Sequence, residues 1–206
     1  SSSGIIAAKK LNVKYVLKTR TDQRIYHPSM DFYLFNLIKS FPLTSHNYNQ
    51  IKRLVGISLG TFKYRMYGVS DMFLYGHIDD MVDYWSPPLE DRQCTDEEAA
   101  DAVKTWRKFA HFCVADVYLC TTYLKKIGRD INFTLKDSFY ALREHFIIVD
   151  QSAIKLYWHK YSVDIDRYSS LGFFDPEISF NDWFLLYQCI EDLNIDETIL
   201  DQPFKR

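Results

Sequence analysis

The chain has little of what marks the specialised protein classes. Its 206 residues include only 7 Gly and 6 Pro, too few for low-complexity linkers or a fibrous repeat. No stretch approaches the roughly 18 consecutive apolar residues of a membrane-spanning helix, and no cleavable leader pattern stands at the start. The four cysteines, Cys94, Cys113, Cys120 and Cys189, form no C-x-x-C pair, which argues against a zinc site built on cysteine. Cys113 and Cys120 lie two turns apart on an apolar helical stretch, so buried free thiols in a reducing, cytoplasmic compartment are the plain reading. An excess of either charge is missing too. The 25 Lys and Arg against 27 Asp and Glu leave a formal charge of -2, without the basic excess of a typical nucleic-acid binder.

What the chain has in quantity is apolar and aromatic side chain. Hydrophobic residues make up 47% and aromatics 17%, with 15 Tyr and 15 Phe, enough for one large core. SSSGIIAAKKLN reads as a helix capped by Ser2 or Ser3, and NVKYVLKT as a strand. A helix feeding a strand is an α/β signature, but a crossover helix normally follows an earlier strand. With Ser rather than Met in first place, a sheet-forming segment upstream of Ser1 is expected.

MDFYLFNLIKSF reads as an amphipathic helix stopped by Pro42. IKRLVGIS and VSDMFLYGH read as strands, DDMVDYWS as a short helix, and SPPLEDRQ as a loop. Residues 95–128 read as one long helical stretch with a break near Val114-Ala115. Thr95 and Glu98 form its capping box, DEEAAD its solvated first turn, and Gly128 its stop. EHFIIVDQ reads as a buried strand and ISFNDWFLLYQCIEDL as a last helix.

The candidate site is the end of the first strand. Val16-Leu17 is followed by Lys18-Thr19-Arg20-Thr21-Asp22-Gln23-Arg24. A carboxylate leaving a buried strand can ligate a divalent cation, and flanking arginines can clamp phosphates. The alternative is an ion-paired strand end, with Asp22 neutralised by Arg20 or Arg24.

KYVLKTRTDQRIY resembles the segment carrying the DxD-like motif of the WavE family of lipopolysaccharide-synthesis glycosyltransferases. VSDMFLYGHIDDMVDYW, ADVYLCTTYLKKIG and FIIVDQSAIKLYWHKYS resemble three further blocks of that family, in the same order, over about residues 4 to 162. Ala115 and Asp116 stand where the family has Pro and Glu, and no second acid lies two positions from Asp22.

The resemblance implies an α/β, GT-A-like mixed sheet flanked by helices, incomplete at the N-terminus, with a helical C-terminal part. Residues 1–206 would form a single domain, with sheet and metal motif in 1–90 and a mainly helical acceptor and cap region in 95–206. It implies a nucleotide-sugar donor, a saccharide or lipid-linked saccharide acceptor, Mn²⁺ or Mg²⁺, and peripheral association with the cytoplasmic face of the inner membrane. Asp22 would hold the metal, with His159 as a further ligand. Lys18, Arg20, Arg24 and Lys160 would bind the donor, Asp71 an acceptor hydroxyl, and Asp116 would be the general base. Trp85, Trp158 and Tyr161 could floor a sugar site. For His27, His77 and His159 a packed or surface role is the alternative.

Two rivals stand beside this reading. Residues 48–68 resemble a helix-turn-helix, with Gly56 at the turn, Ile57 and Phe62 in the core, and Thr61, Lys63 and Arg65 on a DNA-reading face. A non-catalytic sugar-binding or scaffold remnant of the transferase fold is the other.

Overall fold

The computed structural model describes residues 2–159 and 176–203. Helix α1 (Ser2–Lys10) leads into β1 (Tyr15–Lys18), followed by β2 (Gln23–Ile25), α2 (Met30–Ser40), β3 (Leu54–Ile57), β4 (Leu74–His77) and α3 (Ile78–Trp85). Then come α4 (Asp96–Ala102), α5 (Trp106–Phe112), α6 (Ala115–Lys126), α7 (Leu135–His145), β5 (Phe146–Val149), β6 (Leu156–Trp158) and α8 (Phe180–Cys189), with 3-10 turns at Ile190–Asp192 and Glu197–Asp201.

Four strands form one mixed sheet in the order β1-β4-β3-β5. The first two pairings are antiparallel, and β3 runs parallel to β5. Composition accounts for the burial of each strand. LVGI and FIIV are buried along their whole length, as unbroken apolar runs require, whereas YVLK is only half-buried and takes one edge. At the other edge, β5 is buried beneath α7 and α8. Helices flank this sheet: α2 packs on β3, α3 on β4 and β1, and α7 and α8 on β5. A second, two-stranded antiparallel ribbon joins β2 to β6. Sheet strands are therefore not confined to the first 90 residues.

The long helical stretch breaks twice. One break falls where expected, at Cys113 in the left-handed region (φ 60°). The other precedes Thr105, whose hydroxyl accepts from Lys108 N–H and starts α5 afresh. The Thr95/Glu98 capping box is formed, at 3.2 and 2.9 Å.

The helix-turn-helix reading is corrected. Residues 48–68 contain no helix; their regular element is β3. Gly56 is needed for close packing rather than for a turn, since a Cβ there would lie 3.0 Å from Val69 Cγ1. Arg65 is committed to Asp116 instead of facing outward.

The chain entering β3 is fastened by buried polar groups. Arg53 is fully buried. Its guanidinium donates to the carbonyls of Arg143 and Glu144 at the end of α7 (3.1 and 3.0 Å). It also donates to those of Phe41 (2.8 Å) and Pro42 just beyond α2, and stacks on Tyr187. Buried Asp80 accepts from Ile51 and Lys52 N–H, both at 2.9 Å. His145 Nδ1 meets Gln50 Oε1 at 2.6 Å, while the Gln50 amide donates to the His145 carbonyl. The glutamine oxygen must accept, so Nδ1 carries a proton.

Arg53→Met removes the buried donor of four main-chain carbonyls and should lower unfolding free energy by about 3 kcal/mol or more in urea titration. A loss within the range of ordinary surface substitutions would refute the anchoring role. Burial pushes His145 from the ordinary 6.5 down to about 3. Its stabilisation is therefore intact above pH 6.5 and lost as pH falls toward 3. Asp80, pushed up to about 6 chiefly by burial, acts oppositely: its desolvation cost is relieved as pH falls from about 6 toward 3.8. His145→Asn keeps a donor for Gln50 and removes the imidazole titration, so the acid midpoint should move to lower pH by circular dichroism. An unmoved midpoint counts against it.

Candidate functional site

The end of β1 turns sharply. Gln23 is buried, and its amide oxygen accepts from Thr19 Oγ1 (2.8 Å) and Arg20 N–H (3.2 Å), while its own N–H donates to the Arg20 carbonyl (3.2 Å). This closes the 19–23 loop and carries Arg20 and Asp22 to the end of the β2-β6 ribbon. Asp22 sits there with both oxygens engaged: Oδ1 by Arg20 Nε (3.0 Å), Oδ2 by Trp158 Nε1 (2.8 Å) and the second Arg20 nitrogen (3.4 Å). The Arg20 bond, then the Trp158 bond, holds the Asp22 carboxyl below its usual value. Arg20 also lies 4.9 Å from the Trp158 ring centroid. Of the two arrangements open at this strand end, the structure has the ion pair.

Gln23 pairs with Trp158 at the end of the ribbon, so the next residues outward are Asp22 and His159. The fold therefore brings this distant pair to one place. His159 is exposed, with Nδ1 3.3 Å from the Tyr157 hydroxyl. A hard divalent cation takes about six oxygens. Here it would find one carboxylate already engaged and one imidazole, and no three His, Cys, Asp or Glu among the described residues form a metal-holding group. As arranged, these residues do not fit Mn²⁺ or Mg²⁺.

The expected donor-binding cations are dispersed. Arg24 donates to the Thr21 (3.0 Å) and Gln23 (2.9 Å) carbonyls, which turns it onto its own loop. Lys18 is half-buried, donates to the Asp71 main-chain carbonyl and lies over the Trp85 ring at 4.6 Å. Burial pushes its ammonium down, against the pull of Asp71. Lys160 and Tyr161 lie outside the described residues. Trp85 and Trp158 are both buried, so neither offers an open face as a sugar floor.

The two candidate catalytic acids differ. Asp116, at the start of α6, takes a 2.8 Å bond from Arg65, and both side chains are largely buried. Arg65 in turn stacks on Phe62 and Phe109 at 4.5 and 4.9 Å. A carboxylate fixed in this way would have to be released from Arg65 before it could act as a general base. Asp71 is half-buried, beside the start of β4, and its carboxylate makes no hydrogen bond or ion pair among the described residues. Both acids act on Tyr84, whose fully buried hydroxyl has no partner and is raised well above its usual value, first by burial and then by Cys120, Asp116 and Asp71. No sequence motif marks Tyr84 out.

The remaining candidates take plain roles. His77 caps α3, accepting from Asp79 N–H at 3.3 Å, and His27 accepts from Ser29 N–H at 3.2 Å. All four cysteines are free thiols; Cys120 is buried, whereas Cys94 is exposed, a departure from uniformly buried thiols. A groove of about 300 Å³, lined by Leu135, Phe139, Ile178, Leu186 and Ile195, lies by α7 and α8, and neither Asp71 nor Asp116 lines it.

Breaking the buried pair alone should be costly: Asp116→Asn or Arg65→Met should each destabilise by about 3 kcal/mol or more, whereas Arg65→Met with Asp116→Leu should regain most of the loss. Additive losses in the double variant would show that the pair is not the coupled unit described here. Comparison with family models, with curated proteins and with solved structures gives no match.

Proposed function

We propose that this chain is a glycosyltransferase that moves a sugar from a nucleotide-sugar donor to a saccharide hydroxyl, with Asp71 as the general base. One observation carries the reading. A half-buried carboxylate that makes no hydrogen bond among the described residues lies beside the C-terminal end of β1, next to Lys18 and close to the Arg20 turn. Open α/β sheets place ligands at such strand ends. The spaced sequence blocks that resemble the WavE-type transferases support the same reading, as does a mixed sheet flanked by helices.

In this mechanism the acceptor hydroxyl gives its proton to Asp71 as its oxygen bonds to the anomeric carbon. The bond from that carbon to the diphosphate oxygen breaks, and the leaving group takes the electron pair. Lys18 and Arg20 are the cations nearest that path, and they are assigned the charge that develops on the diphosphate. Asp22 would have to leave Arg20 and Trp158 before it could hold a divalent ion. A non-catalytic glycan-binding or scaffold protein is the second reading, favoured by the two acids, Asp22 and Asp116, that are committed to arginines.

The test is release of nucleoside diphosphate from a panel of nucleotide sugars, with a saccharide acceptor, by the 206-residue chain. Asp71→Asn should cut turnover by about 10²-fold or more while leaving the thermal melt unchanged. Undiminished turnover in that variant, or none in the parent across the panel, would overturn the enzymatic reading. Chelation by EDTA decides the metal: activity lost and restored by Mn²⁺ or Mg²⁺ assigns the ion to an Asp22 released from Arg20, whereas unchanged activity leaves the charge to Lys18 and Arg20.

A further inference from the structure

Three segments far apart in sequence meet around the first turn of α3. The Lys14 carbonyl accepts from Ile78 N–H at 3.0 Å. Asp80 accepts from Ile51 and Lys52 N–H. Lys9, in the last turn of α1, ion-pairs with Asp79 at 2.7 Å. The end of α1, the turn at left-handed Asn12 (φ 55°) and the 51–52 segment are thereby tied to one another. Their convergence is visible at half-buried His77, where Lys14, Lys52 and Lys9 all oppose protonation after the larger effect of burial.

This face combines two features that rarely coincide on a soluble surface. Its apolar side chains are open: Leu11 is 76% exposed, Ile51 46%, Ile6 43% and Val13 37%. Interleaved with them are Lys9, Lys10, Lys14 and Lys52, of which only Lys9 has an ion pair among the described residues. An apolar patch of this kind marks an interaction site.

The chemistry selects the partner. A second copy meeting through this face would set lysine against lysine. Protein interfaces are poor in Lys and anchored by aromatics and Arg, and none of these eight side chains is aromatic or arginine. A nucleic acid has no use for Leu11 and Ile51. An anionic bilayer suits both features, since aliphatic side chains reach the acyl boundary while lysine stems extend toward headgroup phosphates. No helix among the described residues is long and apolar enough to cross a membrane, so the contact would be at the surface.

We propose that this face docks on an anionic lipid bilayer, with Leu11 and Val13 at the acyl boundary and Lys10, Lys14 and Lys52 among the headgroup phosphates. The docking deepens the membrane association that the transferase resemblance implies, and because none of these residues belongs to the Asp71 site the two readings fail separately.

The experiment is co-sedimentation of the 206-residue chain with phosphatidylcholine vesicles that do or do not contain phosphatidylglycerol. Binding should require the anionic lipid and weaken with salt. Each of Lys10→Gln, Lys14→Gln and Lys52→Gln should lower the partition coefficient by about five-fold. Leu11→Asp should lower it further, with unchanged circular dichroism in every variant. Equal binding to neutral vesicles, no binding to either, or full binding by the triple lysine variant would overturn the proposal. So would a dimer, seen by light scattering, that Leu11→Asp dissociates.

Discussion

Arg53 stands fully buried where the chain enters β3, and its partners are main-chain carbonyls at the ends of two helices rather than a carboxylate. The last carbonyls of a helix lack intrahelical donors and carry the negative end of the dipole, so a guanidinium placed there satisfies two helix ends at once. The five N–H groups of arginine in a fixed fork suit that task, which a single ammonium could not match in geometry. Around this point Gln50, Asp80 and His145 complete the connections, joining α2, α3 and α7 to the strand that lies between β4 and β5. A desolvated cation is tolerable only with partners this well placed. Once the chain before β3 is held, the register of β3 against β4 and of β4 against β1 follows, and with it the position of the loop that leaves β1.

Four aspartates show how environment divides one residue type among different tasks. Asp80 is enclosed and accepts two backbone N–H groups without a cation, so burial dominates and its carboxyl is pushed up to about 6. Asp116 is largely buried against Arg65 and behaves as a packing element. Asp22 is exposed on the ribbon end, where Arg20 and Trp158 hold it ionised. Among the described residues, Asp71 alone of the four makes no hydrogen bond or ion pair through its carboxylate. That contrast, rather than the presence of an acid in a motif, distinguishes the candidate base.

Much of the fold is legible in the residues. The caps at Thr95 and Gly128, the stop after Ser40 and the apolar runs of β3 and β5 are local signals, and the elements stand where those signals put them. Others escape. The spacing of Leu135, Phe139 and Leu142 is that of a helix, yet polar neighbours dilute it, and α7 is recognisable chiefly by its Thr134 cap. β2 and β6 have three residues each, too short for a period to register. Gly56 separates two readings of one segment: the helix-turn-helix rival puts it at a turn, whereas it lies in the strand read at IKRLVGIS and admits Val69 there. Of the candidate site, the cluster at the end of β1 is readable, but the state of each charge is not. Asp22 is two residues from Arg20 and 136 from Trp158, and only the second distance needs a fold to close it.

By itself the sequence determined the class of the molecule: a mixed α/β chain, rich in aromatics, without a C-x-x-C pair or excess charge, with an acid-and-base cluster following its first strand. Those are properties of composition and of neighbours along the chain, where periodicity and capping act over a few residues. Tertiary structure decided which acid is free, which arginine is taken and which lysines share a face. Each of those outcomes rests on a contact between residues tens of positions apart, and a charge in a protein takes its character from what surrounds it in space.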